Sequence, residues 1–381
     1  MRRLVFLAAG MFAMGCDDYV IAGLLPGISA SLGISYVNAI EGVAAFGITF
    51  VASAPICAIL LARKPARRVL VLSLTVFALG NLMTLLSASL AAYVLSRAIA
   101  GLGAGLFLPV AVATATQLVE PERRGRALSL IWGSNSAGAV IGVPLGLGLA
   151  EKWGWRATIG LILLLGLVSL AGLAIQKLDP RLERPPSFKQ QLRLLVDRRV
   201  LSVIGVTAIT AAASLGLYAY VAPLLDGSAN SSMSALSLWN VGGLIGTTAI
   251  GIVVDRTGKP KRVMAGVLVS LLIAIASIPV LSSVSVLGLL PFLLWGAMGW
   301  ATVTPQQCAL IELQPQQEAT LVALNSSAVS LGSVAGASLG GFAISCGMGV
   351  RALPYAAAAL LVGALGWQLL LIQKRRQEVL A

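Results

Sequence analysis

Apolar positions in this chain gather into runs of bilayer-crossing length, separated by short polar loops. Twelve such windows can be traced, at about 4 to 25, 39 to 61, 69 to 88, 91 to 117, 127 to 150, 157 to 175, 200 to 222, 234 to 254, 263 to 282, 285 to 310, 319 to 344 and 352 to 372. Each predicts a membrane-spanning helix. The longest polar interruption, residues 176 to 199, divides the windows into two sets of six. Asp179-Pro180 and Pro185-Pro186-Ser187 break helices there. Phe188, Leu192, Leu195 and Val196 then recur at helical spacing among Lys189, Gln190, Gln191 and Arg193, which predicts a short amphipathic helix on the inner leaflet, a spacer between the halves.

Composition removes the soluble alternative. Of 381 residues, 58% are hydrophobic and only 11% charged, against about a quarter charged in a soluble globular domain. The net charge of +13 suggests nucleic acid until the basic residues are placed. With a cytoplasmic N-terminus, 23 of the 27 fall on the inner side; Lys152, Arg156 and Arg351 fall outside, and Arg97 lies within a span. That is the positive-inside pattern, with both termini cytoplasmic, and it argues against nucleic-acid binding. Cys16, Cys57, Cys308 and Cys346 lie at scattered depths with no CxxC spacing, and read as small packing residues rather than a disulfide or metal site. The chain holds no His, so proton handling must rest on carboxylates. Met1-Arg2-Arg3 and Gly15-Cys16-Asp17 resemble a lipoprotein signal, but Ala13 and Met14 fit its cleavage box poorly and the apolar run continues past it; the stretch reads as a first span.

Candidate chemistry concentrates in the first half. Asp17 and Asp18 interrupt span 1, and an ionised Asp near the centre of a membrane helix costs roughly 2.5 to 3.5 kcal/mol, so function is the default reading. The bland alternative is a pair held by backbone or hydroxyl partners to fix helix packing. Neighbours on a helix point about 100° apart, so only one of the two can be central to an interior stripe. Any titration belongs to the pair. Arg97 in span 4 needs a partner. Counting inward from the outer edge, Arg97 and Asp18 both sit roughly 9 to 10 Å deep at 1.5 Å per residue, which makes Asp18 its expected partner, with a snorkelling Arg as the alternative. After Pro26 a short outer loop is expected, and Glu41 in span 2 reads as a solvated rim group. Gly138, Gly142 and Gly146 in span 5 form a close-packing seam that Pro144 bends. In the second half Asp226 and Glu312 lie only at span ends. Trp132 and Asn135 from span 5, with Tyr218, Trp239, Asn240, Trp295 and Asn325, are candidates for a substrate cavity wall.

Here the motifs become specific. Span 1 gives an acid, Tyr19 and Val20-Ile21-Ala22-Gly23-Leu24-Leu25-Pro26. Span 4 gives Leu95-Ser96-Arg97 followed by Gly101, Gly103 and Gly105. Span 5 gives Gly142-Val143-Pro144-Leu145-Gly146, with Gly154-Trp155-Arg156 after it. Together they resemble the twelve-span drug/proton antiporters of the major facilitator superfamily, within them the sugar-efflux, arabinose-efflux and chloramphenicol-resistance group. Phe77-Ala78-Leu79-Gly80-Asn81-Leu82, Pro305-Gln306-Gln307, Ala323 to Ser327 and Leu339-Gly340-Gly341 extend the likeness over nearly the whole chain. The resemblance implies an all-α fold of two six-helix bundles, residues 1–175 and 200–381, joined by a cytoplasmic linker at 176–199, with a substrate cavity at mid-depth. It places Asp18 at the family's span 1 acid, usually Glu, Arg97 at the span 4 Arg of proton coupling, and Gly142 with Pro144 at the antiporter seam. Asp17 is an extra acid, and Asp for Glu shortens the reach. The loop Gly251 to Arg262, with Asp255 and Arg256, resembles the superfamily's gating loop, whereas its first-half counterpart Ala62 to Arg68 lacks the Asp and the leading Gly.

The implied activity is proton-coupled export of a small organic compound, a drug or sugar-like metabolite, by a monomer in a bacterial inner membrane. The proton is the coupling ion, with no other cofactor and no metal. Protonation of the Asp17/Asp18 site from outside is expected to weaken the Asp18 to Arg97 pair and bias the rocking of one bundle on the other. A proton-independent facilitator or importer of a sugar or other metabolite, and a non-transporting membrane sensor or assembly factor, remain as alternatives. No Walker loop, nucleophile and base set, or metal-ligand spacing appears, which argues against an enzyme or an ATP-driven pump.

Overall fold

The structure, a computed structural model, describes residues 4–60, 64–120, 124–176, 194, 196–225, 229–281 and 287–380. Its elements are helices in two compact units, Met1–Ser187 and Phe188–Ala381. The first unit holds α1 (Val5–Leu32), α2 (Tyr36–Leu60), α3 (Ala66–Leu86), α4 (Leu90–Gln117), α5 (Arg124–Trp153) and α6 (Trp155–Ile175). The second holds α7 (Arg198–Tyr218), α8 (Ala229–Thr257), α9 (Pro260–Leu281), α10 (Leu290–Ala301), α11 (Val303–Leu313), α12 (Glu318–Ser345) and α13 (Leu353–Leu380), with a single helical turn at Val221–Leu224. Among the described residues eleven helices are long and apolar enough to cross a membrane. Large apolar side chains such as Leu86, Ile175, Val280 and Phe342 stand exposed, which a soluble protein would bury and a bilayer accepts.

Two differences from the sequence reading have clear causes. Pro26 does not end α1, which runs on to Leu32 and stops at Gly33, whose left-handed φ of 64° lets its N–H bond the Ser29 carbonyl. The expected outer loop shrinks accordingly to a few residues before Tyr36. The tenth window is two helices, α10 and α11, broken at Thr302. Pro305 has no N–H to offer the Ala301 carbonyl, so the ladder fails where the break occurs. The predicted amphipathic helix of the linker lies almost wholly outside the described residues.

In the first unit α1 packs on α5 and α6, α4 on α2 and α3, and α3 on α6. The α1–α5 contact is a seam of small residues. A Cβ on Gly138 would lie 2.2 Å from the Phe12 carbonyl oxygen, and one on Gly142 2.2 Å from Cys16 Sγ, so nothing larger than hydrogen fits at either position. Gly146 continues the seam against Val20 and Thr158. At one end of the unit Arg156 draws three helices together, donating to the Leu85 and Ser87 carbonyls at 3.1 and 2.8 Å and to Ser31 Oγ at 2.8 Å. At the other end Arg67 donates to the Ala174 carbonyl at the close of α6, where a cation meets the negative end of the helix dipole.

The seam makes a prediction with an internal control. Gly138→Ala is expected to destabilise the protein by about 1 to 3 kcal/mol through overpacking. Gly148→Ala, where a Cβ meets nothing within 4 Å, is expected to be neutral or slightly stabilising. Thermal unfolding of the two purified variants in one detergent compares them directly, and equal melting temperatures would contradict the seam.

Candidate functional site

The seam fixes α1 on α5 through Cys16, and the next residue, turned about 100° from it, is Asp17, which faces inward. Asp17 has no exposed surface and Arg97, on α4, has 1%. Arg97 Nη1 donates to Asp17 Oδ1 at 2.8 Å. The guanidinium also lies over the Phe46 ring of α2, 4.6 Å from its centroid, so an apolar face covers the charge that the carboxylate leaves bare. From α3, Asn81 Nδ2 approaches Asp17 Oδ2 at 3.5 Å and donates to the Phe77 carbonyl at 3.1 Å. Thr84 and Ser96 share a hydrogen bond of 2.8 Å between α3 and α4, one turn from Asn81 and next to Arg97, and so hold the two helices in this register.

The expected partner was Asp18, and the structure corrects this. Adjacent residues differ in depth by only about 1.5 Å, so depth cannot choose between them, whereas the turn of about 100° decides which one meets α4. Asp17 takes the inward position and the ion pair; Asp18 is exposed. In a bilayer an exposed carboxyl at this position needs water beside it rather than lipid. Glu41 is also exposed.

Three polar atoms around the pair are buried and find no hydrogen-bond partner among the described residues: Arg97 Nε, Asn81 Oδ1 and the Tyr93 hydroxyl. Tyr93 sits one turn before Arg97, its ring pressed on Gly42 of α2, where a Cβ would come within 2.3 Å of it. Asn81, Phe46 and Tyr93 were missed as site residues by sequence reasoning. The available signal was Asn81, an amide inside an apolar span.

The remaining candidates separate. Asn135 is half-buried and donates to the Met11 carbonyl of α1 at 3.3 Å, while Trp132 is 47% exposed. Tyr218, Trp239, Trp295, Trp300 and Phe292 form one aromatic cluster, with Trp239 and Tyr218 centroids 4.4 Å apart and Trp239 and Trp295 6.1 Å apart. Trp295 donates to Ser214 Oγ at 2.8 Å. Asn240 donates to the Leu236 carbonyl of its own helix, and Asn325 accepts from Thr207 at 2.9 Å. Trp239, Asn240, Trp295 and Asn325 have no exposed surface and are packed within the second unit. Asp255 and Arg256 are exposed at the end of α8, and Glu312 is exposed near the end of α11; Asp226 lies outside the described residues. No metal-binding cluster of His, Cys, Asp or Glu forms among the described residues.

The family comparison fits this architecture. The family model described as Major Facilitator Superfamily matches residues 7–337. The inner membrane transport protein YdhP of Escherichia coli is 27% identical over 378 residues, covering 98% of this chain and 96% of YdhP. A chloramphenicol resistance protein of Streptomyces lividans is 29% identical over 270 residues, 69% of this chain and 68% of that protein. Among solved structures, a bacterial homolog of the human lysosomal transporter Spinster superposes with a TM-score of 0.79 at 17% identity, covering 97% of this chain and 96% of that one. The peptide transporter POT gives 0.80 at 14% identity over 99% and 94%. The chain is a multi-pass membrane protein and belongs to the Major Facilitator Superfamily of transporters.

Proposed function

We propose that this transporter exports a small organic compound, a drug or sugar-like metabolite, in exchange for protons, and that the Asp17–Arg97 pair is the coupling site. The observation that carries the reading is a carboxylate and a guanidinium 2.8 Å apart, both essentially without exposed surface. A buried pair of this kind is a poor stability device, since an apolar replacement is often as stable. Its use lies in being breakable by one proton. With Asp17 ionised, α1 and α4 are tied through Arg97; with Asp17 protonated, the tie loses its charge and Arg97 must find another acceptor.

Asp18, exposed beside it, is the relay that passes the proton between water and Asp17. Substrate and proton then bias the same equilibrium between conformations in opposite directions, which is antiport by alternating access. The bias of the basic residues toward one side supports reading both termini as cytoplasmic, in a bacterial inner membrane. The chloramphenicol resistance protein among the relatives supports a drug-like substrate. We read the working unit as a monomer with the proton as its coupling ion.

Proteoliposomes with an internal pH dye, given amphenicols, cationic dyes or sugars, test the proposal. Wild-type protein is expected to move protons opposite to substrate. Asp17→Asn is expected to exchange substrate without proton movement and without concentrating it, and Asp18→Asn to keep coupling at a reduced rate. Substrate flux that ignores pH in the wild type would replace antiport by facilitation.

Stability gives a second check on the pair. Removing one partner of a buried ion pair costs about 3 to 5 kcal/mol, so Asp17→Asn alone should lower the melting temperature clearly. Asp17→Asn with Arg97→Gln should recover most of that loss while remaining uncoupled. A single variant as stable as the wild type would contradict the pairing.

A further inference from the structure

Asn81 has no part in the pair itself, yet its amide faces the oxygen of Asp17 that Arg97 does not hold. One N–H goes to the Phe77 carbonyl at 3.1 Å, and this bond sets which way the amide points. The same nitrogen lies 3.5 Å from Asp17 Oδ2, a long contact. The amide oxygen is buried, belongs to a residue with no exposed surface, and accepts from nothing among the described residues. A buried acceptor without a donor is costly, and this one lies on the amide that already faces the carboxylate.

We infer that Asn81 is a positioning residue that serves both protonation states of Asp17, its N–H facing the carboxylate and its carbonyl accepting from the protonated acid. The inference deepens the proton-site reading above and rests on it. An amide is one of the few side chains that can do both, because it carries two donors and two acceptor lone pairs on one rigid plane. When a proton from water reaches Asp17 by way of Asp18, it binds Oδ2, the ion pair with Arg97 loses its negative member, and the new O–H needs an acceptor. The Asn81 amide supplies it by turning, releasing the Phe77 carbonyl so that its orphaned oxygen rather than its nitrogen meets Oδ2. The Asp18 O–H breaks as the Asp17 O–H forms, and the reverse transfer releases the proton once the site opens to the other side.

The ionisable neighbours leave Asn81 this role. On α1 they are Cys16 and Asp18, and on α4 Arg97 and Tyr93. From α3, apart from Arg67 and Arg68 at its far end, only neutral groups face Asp17; α2 adds Phe46 and an exposed Glu41, and α5 and α6 carry described charges only near their ends. No other neutral amide is bonded to Asp17 among the described residues.

Infrared difference spectroscopy across a pH titration tests this on the purified full chain in lipid nanodiscs, with no substrate needed. The wild type is expected to show a protonated-carboxyl band that Asp17→Asn abolishes. In Asn81→Leu, which has the bulk but neither donor nor acceptor, that band should move to higher wavenumber as the acid loses its acceptor, and its titration midpoint should move by roughly half a pH unit or more. Asn81→Ser should return both toward the wild type, since its hydroxyl donates to the Phe77 carbonyl and still accepts. Asn81→Val takes the place of Asn81→Leu should the latter fail to fold. An Asp17-dependent band that keeps its frequency and midpoint in the apolar variant overturns the role of Asn81 while leaving the proton site standing. A wild type with no Asp17-dependent band overturns both.

Discussion

A carboxylate and a guanidinium inside a membrane unit cannot turn to water for compensation, so the protein around them must supply every partner they have. That requirement orders the first unit. The Gly138 and Gly142 seam holds α1 close on α5, which fixes the rotation that points Asp17 at α4. The Thr84–Ser96 bond fixes α3 against α4, and Phe46 of α2 covers the flat face of Arg97. Four helices therefore converge on one charge pair. Moving any of them changes the free energy of the pair, and changing the charge of the pair changes what holds them.

The two units divide the labour unequally. Every buried polar side chain described in the second unit is neutral: Ser, Thr, Asn and Gln, each able to bond to backbone or to a neighbour. Its helices are joined instead by aromatic packing around Trp239 and by close backbone approaches such as Gly296 on the Trp239 carbonyl, where a Cβ would come within 1.8 Å. Neutral interfaces of this kind do not respond to pH. Among the described residues the buried charges are Asp17 and Arg97, so charge chemistry away from water is confined to the first unit.

Span positions and the helix pair that carries the charges were legible in the sequence because both follow from length and depth. Which of Asp17 and Asp18 faces Arg97 was not, since α1 is apolar on nearly every side and offers no stripe to set its rotation. The glycines at 138 and 142 were the one usable sign: residues there must face a neighbour, and Cys16 turned out to be that neighbour. The facing of the aromatic and amide candidates of the second half was illegible for the same reason. Depth says that Trp295 and Asn325 are inside the membrane, but not whether they face an opening or another helix; Ser214 and Thr207, their actual partners, are ordinary residues far off in sequence. Asn81 shows the converse, a single amide in an apolar helix that depth alone marks as having a partner.

The central claim, that a proton breaks the Asp17–Arg97 pair, is tested most directly by measuring the distance between the two charged groups. Solid-state NMR on protein in lipid, with ¹⁵N in arginine and ¹³C in the aspartate carboxyl and Asp17→Asn as the assignment control, reads the contact at alkaline and at acid pH. A contact at hydrogen-bond distance that is present at alkaline pH and lost at acid pH is the predicted result. The same short contact at both would contradict coupling through this pair and leave it a structural tie.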